Sequence, residues 1–269
     1  MFEYFDEDFD AMELAEGALT LNQAVDPETD VAWAKSELER LVKEAEQLLF
    51  MESDAKGRFD AFLRLFYQEW AFRGDRDAYF DSANSFIDKV LLRRRGVPVS
   101  LGAIFLYIGR KLGFPLEGVT FPTQFLVKIR WYDEAPRYLN PFEGEYVSEK
   151  VLAAWLIGSE GPLAKMKPEY LRTVDNPTVI GRWLAMMKSA LLREGRYTLA
   201  LRCTDLALTF VPDDPYEIRD RGFIYQQLDC YDVAAMDFQY FIDQCPEDPA
   251  ADILKAQVSA MSHKLTTLH

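Results

Sequence analysis

Residues 97–131 read VPVSLGAIFLYIGRKLGFPLEGVTFPTQFLVKIRW, and within this stretch the chain changes from one periodicity to another. Leu101, Ile104, Phe105, Ile108 and Leu112 recur at intervals of three and four, the spacing of one helical face. The run is apolar on so many sides that burial is expected all round, as in the central helix of a domain. Val97-Pro98-Val99-Ser100 opens it, with Ser100 placed as a favoured N-cap, and Gly113-Phe114-Pro115 stops it. After that stop come β-branched and aromatic residues, Val119-Thr120-Phe121 and Phe125 to Trp131, which read as antiparallel strands.

Upstream, the spacing predicts helices only. Residues 10–24 form the first, ended by Pro27; a second from Asp30 to Leu49 is carried by Leu38, Leu41, Val42, Ala45, Leu48 and Leu49. Phe59, Phe62, Leu63, Phe66 and Trp70 make an aromatic stripe of core type before Gly74. Phe86, Ile87, Val90 and Leu91 then begin a helix whose cationic last turn, Arg93-Arg94-Arg95, is expected to be capped by Gly96. Downstream, Tyr138 to Phe142 ends another strand and residues 148–157 return to helix. Helices, then strands, then helices describe an α+β domain.

The last third repeats itself. A shift of 34 residues brings Tyr197 onto Tyr231, Ala200 onto Ala234, Pro212 onto Pro246, Asp214 onto Asp248 and Pro215 onto Pro249. That period and those residue types match the tetratricopeptide pattern, in which small residues let two helices pack closely and a proline ends the second. The second copy fits better, with Gly222, Tyr225, Ala234 and Phe238 in the patterned positions. In the first, Lys188 stands at the small position, Leu191 at the aromatic one and Thr204 at the Phe position. One more amphipathic helix after Pro249 caps the stack. Residues 1–170 are therefore expected to form the α+β domain and residues 177–269 an all-α module of two repeats plus a cap. Two repeats bury little by themselves and are expected to pack onto the first domain. Arg219, Asp220 and Arg221 are candidates for contacting a bound partner.

Composition narrows the functional classes. Of 269 residues 49% are apolar and 14% aromatic, a globular mix, and the net charge is −14. Residues 1–34 hold ten acidic side chains and no Lys or Arg. Such a field repels nucleic acid, and no basic stripe compensates for it. The start lacks the cationic stretch of a secretory or organelle leader, so a cytoplasmic location is expected. No apolar run approaches the roughly 20 residues of a membrane span. Cys203, Cys230 and Cys245 fit no zinc spacing and are expected to be buried thiols, and His263 and His269 make no metal pair. Glu143 and Glu145 are expected to be solvated strand-end acids. No phosphate loop or metal motif occurs, so no cofactor is implied.

Arg93-Arg94-Arg95-Gly96-Val97-Pro98-Val99-Ser100-Leu101, Gly113-Phe114-Pro115, and Phe121-Pro122-Thr123-Gln124-Phe125-Leu126-Val127 together resemble a bacterial transglutaminase-like family. Combined with the paired repeats, Asn140-Pro141-Phe142 and the PEDP at 246–249, the chain is similar over nearly its whole length to the family named for the SirB invasion-gene regulator. The resemblance implies a papain-like fold. In it a nucleophilic Cys starts the central helix, a His lies on the next strand and an Asp on the strand after. The matching positions here are Ser100, Gln124 and Asn140.

Apart from any alignment, residues 1–202 contain no Cys and residues 1–262 no His, so the first domain holds no Cys-His pair. A serine without a base is a poor nucleophile, and neither Gln124 nor Asn140 supplies one. Lys89, Lys111 and Lys128 are near in sequence, but none stands at a serine–lysine motif spacing. The expectation is a non-catalytic adaptor or regulator that binds an unidentified cytoplasmic protein or peptide through its repeats. The alternative is a Ser-dependent hydrolase or amidase using a remodelled cleft around Ser100. A third reading is a pseudo-enzyme that holds a peptide or small amide on Gln124 and Asn140.

Overall fold

In the computed structural model, which describes residues 9–51 and 54–267, the chain divides into two compact units, the described parts of Asp6–Trp183 and of Leu184–His269. Part of the acidic N-terminal segment, residues 1–8, and His269 lie outside the described residues, as does the side chain of His263.

The first unit starts with α1 (Leu14–Val25), α2 (Val31–Leu48) and α3 (Ala55–Arg64), and α3 runs on through a π-helical turn, Leu65–Glu69. Short strands β1 (Arg73–Gly74) and β2 (Arg95–Gly96) pair in parallel on either side of α4 (Ile87–Arg93). Then come α5 (Pro98–Lys111), an antiparallel sheet of β3 (Leu116–Thr120), β4 (Phe125–Ile129), β5 (Arg137–Asn140) and β6 (Glu145–Val147) in sequential order, and α6 (Glu149–Glu160). The register sets Val119 opposite Leu126 and Val127 opposite Leu139.

α5 is the central helix: every residue from Pro98 to Gly109 except Val99 is buried. It lies close on the sheet because its contact points are glycines. A Cβ on Gly102 would sit 2.5 Å from the Phe125 ring, and one on Gly109 would sit 2.4 Å from Leu116. The opposite face of the sheet packs Val119, Phe121, Leu126 and Tyr138 against Leu152 and Leu156 of α6. The aromatic stripe of α3 fills the space beside α5, with Phe62 4.8 Å and Phe66 5.1 Å from Phe105 between ring centroids. Buried Asn22 ties α1 to the approach to α4: its Oδ1 accepts the Ile87 N–H at 2.8 Å and its amide donates to the Ser85 carbonyl at 3.0 Å.

α4 ends earlier than its sequence suggests. Arg94, not Gly96, takes the left-handed conformation that closes it, with φ 56° and its N–H bonded to Val90 O at 2.8 Å. Tertiary partners hold it there, since its guanidinium meets Glu37 at 2.6 Å and lies 4.5 Å over the Phe72 ring. Gly96 serves a close approach instead: a Cβ there would come within 2.6 Å of Ser100 Oγ.

The second unit holds the C-terminal part of α7 (Asn176–Arg193), then α8 (Tyr197–Phe210), α9 (Pro215–Gln227), α10 (Tyr231–Gln244) and α11 (Pro249–Thr267). Successive hairpins and a final helix follow the 34-residue repeat of the sequence. In the second copy the Phe238 ring lies 2.7 Å from where a Cβ on Gly222 would be, which explains the small residue. Thirty-four residues earlier the sizes are exchanged, with Lys188 for the glycine and Thr204 for the phenylalanine, both buried. Lys188 Nζ is satisfied by Glu217 at 2.7 Å and Asp220 at 2.9 Å, both on the next hairpin. Burial would lower the pKa of this ammonium, but hydrogen bonds and charge from Glu217 and Asp220 hold it above its ordinary value. All three thiols are free, but only Cys203 is buried, its pKa pushed up to about 12 by that burial; Cys230 is exposed and Cys245 half-buried.

Two expectations follow. Lys188→Ala should destabilise the protein by about 2–3 kcal/mol in urea unfolding, because it leaves the partly buried Glu217 carboxylate without its cation and opens a void where the lysine stem was buried. At acid pH the contribution of Glu37 reports itself: hydrogen-bonded Arg40, with Arg94, holds this carboxyl below its usual value against burial. A lowered folded-state pKa stabilises above the unfolded value of 4.5 and is lost as pH falls through the folded one. Glu37→Gln should therefore give a flatter loss of stability below about pH 4.5 than the parent chain.

Candidate functional site

Ser100 is the third residue of α5. Val97 is its N-cap and Pro98 takes the first helical position, where a fixed φ and a missing N–H cost nothing. The helix thus begins two residues before Ser100, and the serine serves the cap from inside the first turn. Its Oγ accepts the Val97 N–H at 3.1 Å and has the Asn84 carbonyl at 2.7 Å and the Val97 carbonyl at 3.1 Å as acceptors for its own proton. The residue is 0% exposed.

The direction of that hydroxyl follows from helix geometry. Ser100 and Gly102 are separated by roughly 200° around the axis. Gly102 faces the sheet, where its Cβ position meets Phe125 and, at 3.4 Å, Pro141. Ser100 therefore points the other way, toward the turn of Ser82–Ser85 that carries Asn84.

Gln124 sits in the β3–β4 turn, its N–H bonded to Phe121 O at 3.1 Å, and its Nε2 is buried without a hydrogen-bond partner among the described residues. The hydroxyls of Thr120, at the end of β3, and of Thr123 in the turn share that condition. Asn140 ends β5 at 6% exposure. Its Oδ1 accepts the Phe142 N–H at 3.1 Å and its carbonyl accepts the Gly144 N–H at 2.8 Å, so it shapes the β5–β6 turn. That turn is clamped from both sides. Tyr67 OH donates to Pro141 O at 3.1 Å, and the Gly74 N–H donates to Phe142 O at 2.9 Å. Burial raises the Tyr67 phenol far above its usual pKa.

The fold thus brings the neighbours of two candidate positions, Phe125 and Pro141, onto the first turns of α5, and turns the serine away from them. No hydrogen bond joins Ser100, Gln124 and Asn140 among the described residues. The three lysines are engaged elsewhere: Lys89 with Asp88 at 3.3 Å, Lys128 with Glu117 at 3.1 Å, and Lys111 5.6 Å over the Tyr107 ring. Sequence reasoning missed Gly102, Asn84 and Tyr67. Of these only Gly102 gave a signal, since a glycine inside an apolar helix marks a close approach.

In the repeat unit, Arg219 lies 5.2 Å over the Tyr216 ring and 5.3 Å over Phe241, and bonds Asp220 at 2.8 Å. Asp220 also binds Lys188, and Arg221 makes two bonds of 2.8 Å to Asp237. All three candidate contact residues thus hold neighbouring helices. The outward face of α9 carries Tyr216, Arg219 and Phe223 at intervals of three and four, with Tyr216 48% and Phe223 40% exposed. No helix among the described residues is long and apolar enough to cross a membrane, and no group of three His, Cys, Asp or Glu among them could hold a metal ion.

Comparison with known proteins matches residues 32–185 to the transglutaminase-like superfamily and residues 187–259 to the tetratricopeptide repeat. A UPF0162 protein of Vibrio cholerae is 68% identical over all of both chains. Protein SirB1 of Salmonella typhimurium is 40% identical over 98% of each, and UPF0162 protein YchA of Escherichia coli 39% over 98% of each. No solved structure matches.

Ser100→Ala should cost about 1–3 kcal/mol in equilibrium unfolding, because it orphans the buried Asn84 carbonyl and Val97 N–H. Gly102→Ala should cost a similar amount, about 1–3 kcal/mol, by driving a methyl group into Phe125.

Proposed function

This chain belongs to the transglutaminase-like superfamily and, with its tetratricopeptide repeats, to the UPF0162 family that includes SirB1, and we propose that it is a non-catalytic adaptor or regulator. One observation carries the reading. The hydroxyl at the start of the central helix is sealed from solvent, bonded to backbone groups on the side away from Phe125 and Pro141, and has no side-chain base within hydrogen-bond distance among the described residues. A nucleophile needs access to a substrate carbonyl and a group to take its proton, and Ser100 has neither. No observation favours the Ser-dependent hydrolase over this reading.

The repeats then supply the function. Repeats of this type generally mediate protein–protein interaction, and α9 offers the half-exposed rings of Tyr216 and Phe223 with Arg219 between them in sequence, the composition of an interface anchor. The partner is a protein or peptide of the cytoplasm rather than nucleic acid, since the chain's net charge of −14 opposes a polyanion.

Two measurements test this. Tagged protein purified from its own cells should carry a specific protein partner, and that partner should be lost from Tyr216→Ala and Phe223→Ala variants that melt like the parent. A fluorophosphonate probe should leave the chain unlabelled. Labelling that disappears in Ser100→Ala, or a partner retained undiminished by both surface variants, would overturn the reading.

A further inference from the structure

A cavity of about 390 Å³ opens in the first unit between β1, β2 and the β5–β6 turn, of a size suited to a small ligand. Tyr67, Phe72 and Phe142 give it an aromatic wall, and Arg73 and Arg95 face it from paired strands. The parallel register sets these two arginines opposite each other. Main-chain bonds hold the register from both ends, Arg73 N–H to Arg94 O at 3.1 Å and Asp75 N–H to Gly96 O at 3.0 Å.

Neither guanidinium has a carboxylate partner among the described residues. Arg73 makes no side-chain hydrogen bond or ion pair among the described residues, and Arg95 reaches only the carbonyls of Ala71 at 3.5 Å and Arg94 at 3.3 Å. Two of the nearby acids are already engaged. Glu143 is bonded by Arg76 at 2.6 Å, and Asp75 accepts the Ala78 N–H at 3.1 Å with Arg93 at 4.0 Å. Asp77, also on the lining, has no partner among the described residues.

We propose that this cavity binds the α-carboxylate of an amino-acid-type ligand, on the paired guanidiniums of Arg73 and Arg95, with Asp77 accepting from the ligand's neighbouring amino or amide N–H. Like charges placed opposite each other on paired strands repel, and a bound carboxylate removes that repulsion while offering the two oxygens that guanidinium groups recognise. The singly charged carboxylate suits the site better than a dianionic phosphate, because Asp75, Asp77 and Glu143 stand around it. The ligand is either a free amino acid or the C-terminal residue of a peptide, which share this chemistry. The inference does not depend on the adaptor reading, for it concerns the first unit alone and requires nothing of the repeats.

The test is calorimetric titration of the full chain with trialanine, trialanine amide, free alanine and inorganic phosphate. Trialanine should bind and its amide should not. Free alanine binding as tightly as trialanine would assign the site to free amino acids, and weaker binding of alanine would assign it to peptide termini. Arg73→Gln and Arg95→Gln should each weaken binding roughly tenfold or more, and Arg73→Lys, which keeps the charge and loses the fork, should weaken it also. Arg64→Gln, an exposed arginine outside the cavity lining, should leave it within about twofold. Arg73 lies on the surface without a partner, so its variants are expected to fold, and melting curves check this. Equal binding of acid and amide, no binding of trialanine or alanine, phosphate as the preferred ligand, or trialanine affinity unchanged in the well-folded Arg73→Gln chain would each overturn the proposal.

Discussion

The architecture of the first unit depends on how closely α5 approaches its sheet. Where the contact is tightest the helix has no side chain at all: Phe125 occupies the space beside Gly102, and Leu116 that beside Gly109. Gly118 on β3 gives Phe125 the rest of its room, with the ring 2.9 Å from its Cβ position. Interiors are packed tightly enough that even one methyl group at such a point must displace something. This contact fixes the rotation of α5 about its axis, and every other side chain on the helix takes its direction from it.

The roles of the three positions that invite a catalytic interpretation follow from that rotation. With Gly102 against the sheet, the hydroxyl of Ser100 has only the Asn84 and Val97 backbone to meet, and it completes the helix start there. Asn140 answers to the turn that follows it, holding the Phe142 N–H. Gln124 remains with a buried Nε2 that has no hydrogen-bond partner among the described residues. Ser100 and Asn140 thus perform the local tasks of capping and turning that such residues favour anywhere in a chain.

The repeat unit meets a comparable constraint differently. One hairpin packs a phenylalanine over a glycine, and the other sets a threonine where that phenylalanine would be and a lysine where the glycine would be. The exchange conserves volume approximately but introduces a charge, which Glu217 and Asp220 on the following hairpin neutralise. A buried lysine satisfied from the next hairpin fixes the order of the stack more specifically than an apolar contact would, because a wrong neighbour would leave the ammonium unpaired.

Without showing the short strands β1, β2 and β6, the sequence by itself determined the order of the main helices and of the strands β3 to β5, the repeat period and the absence of a Cys-His pair from the first 202 residues. These rest on short-range periodicity and on composition, which need no knowledge of neighbours in space. It also marked most helix boundaries, through Pro27, Gly113-Phe114-Pro115 and Pro212. Where α4 ends was not legible, because Glu37 and Phe72, distant along the chain, hold Arg94 left-handed. The same is true of Ser100, whose partner Asn84 lies sixteen residues away, and of Arg73 and Arg95, brought into register only by β1 and β2. A side chain's residue type can be read along the chain, but its direction and its partners are settled by the packing of elements that sequence spacing does not place side by side.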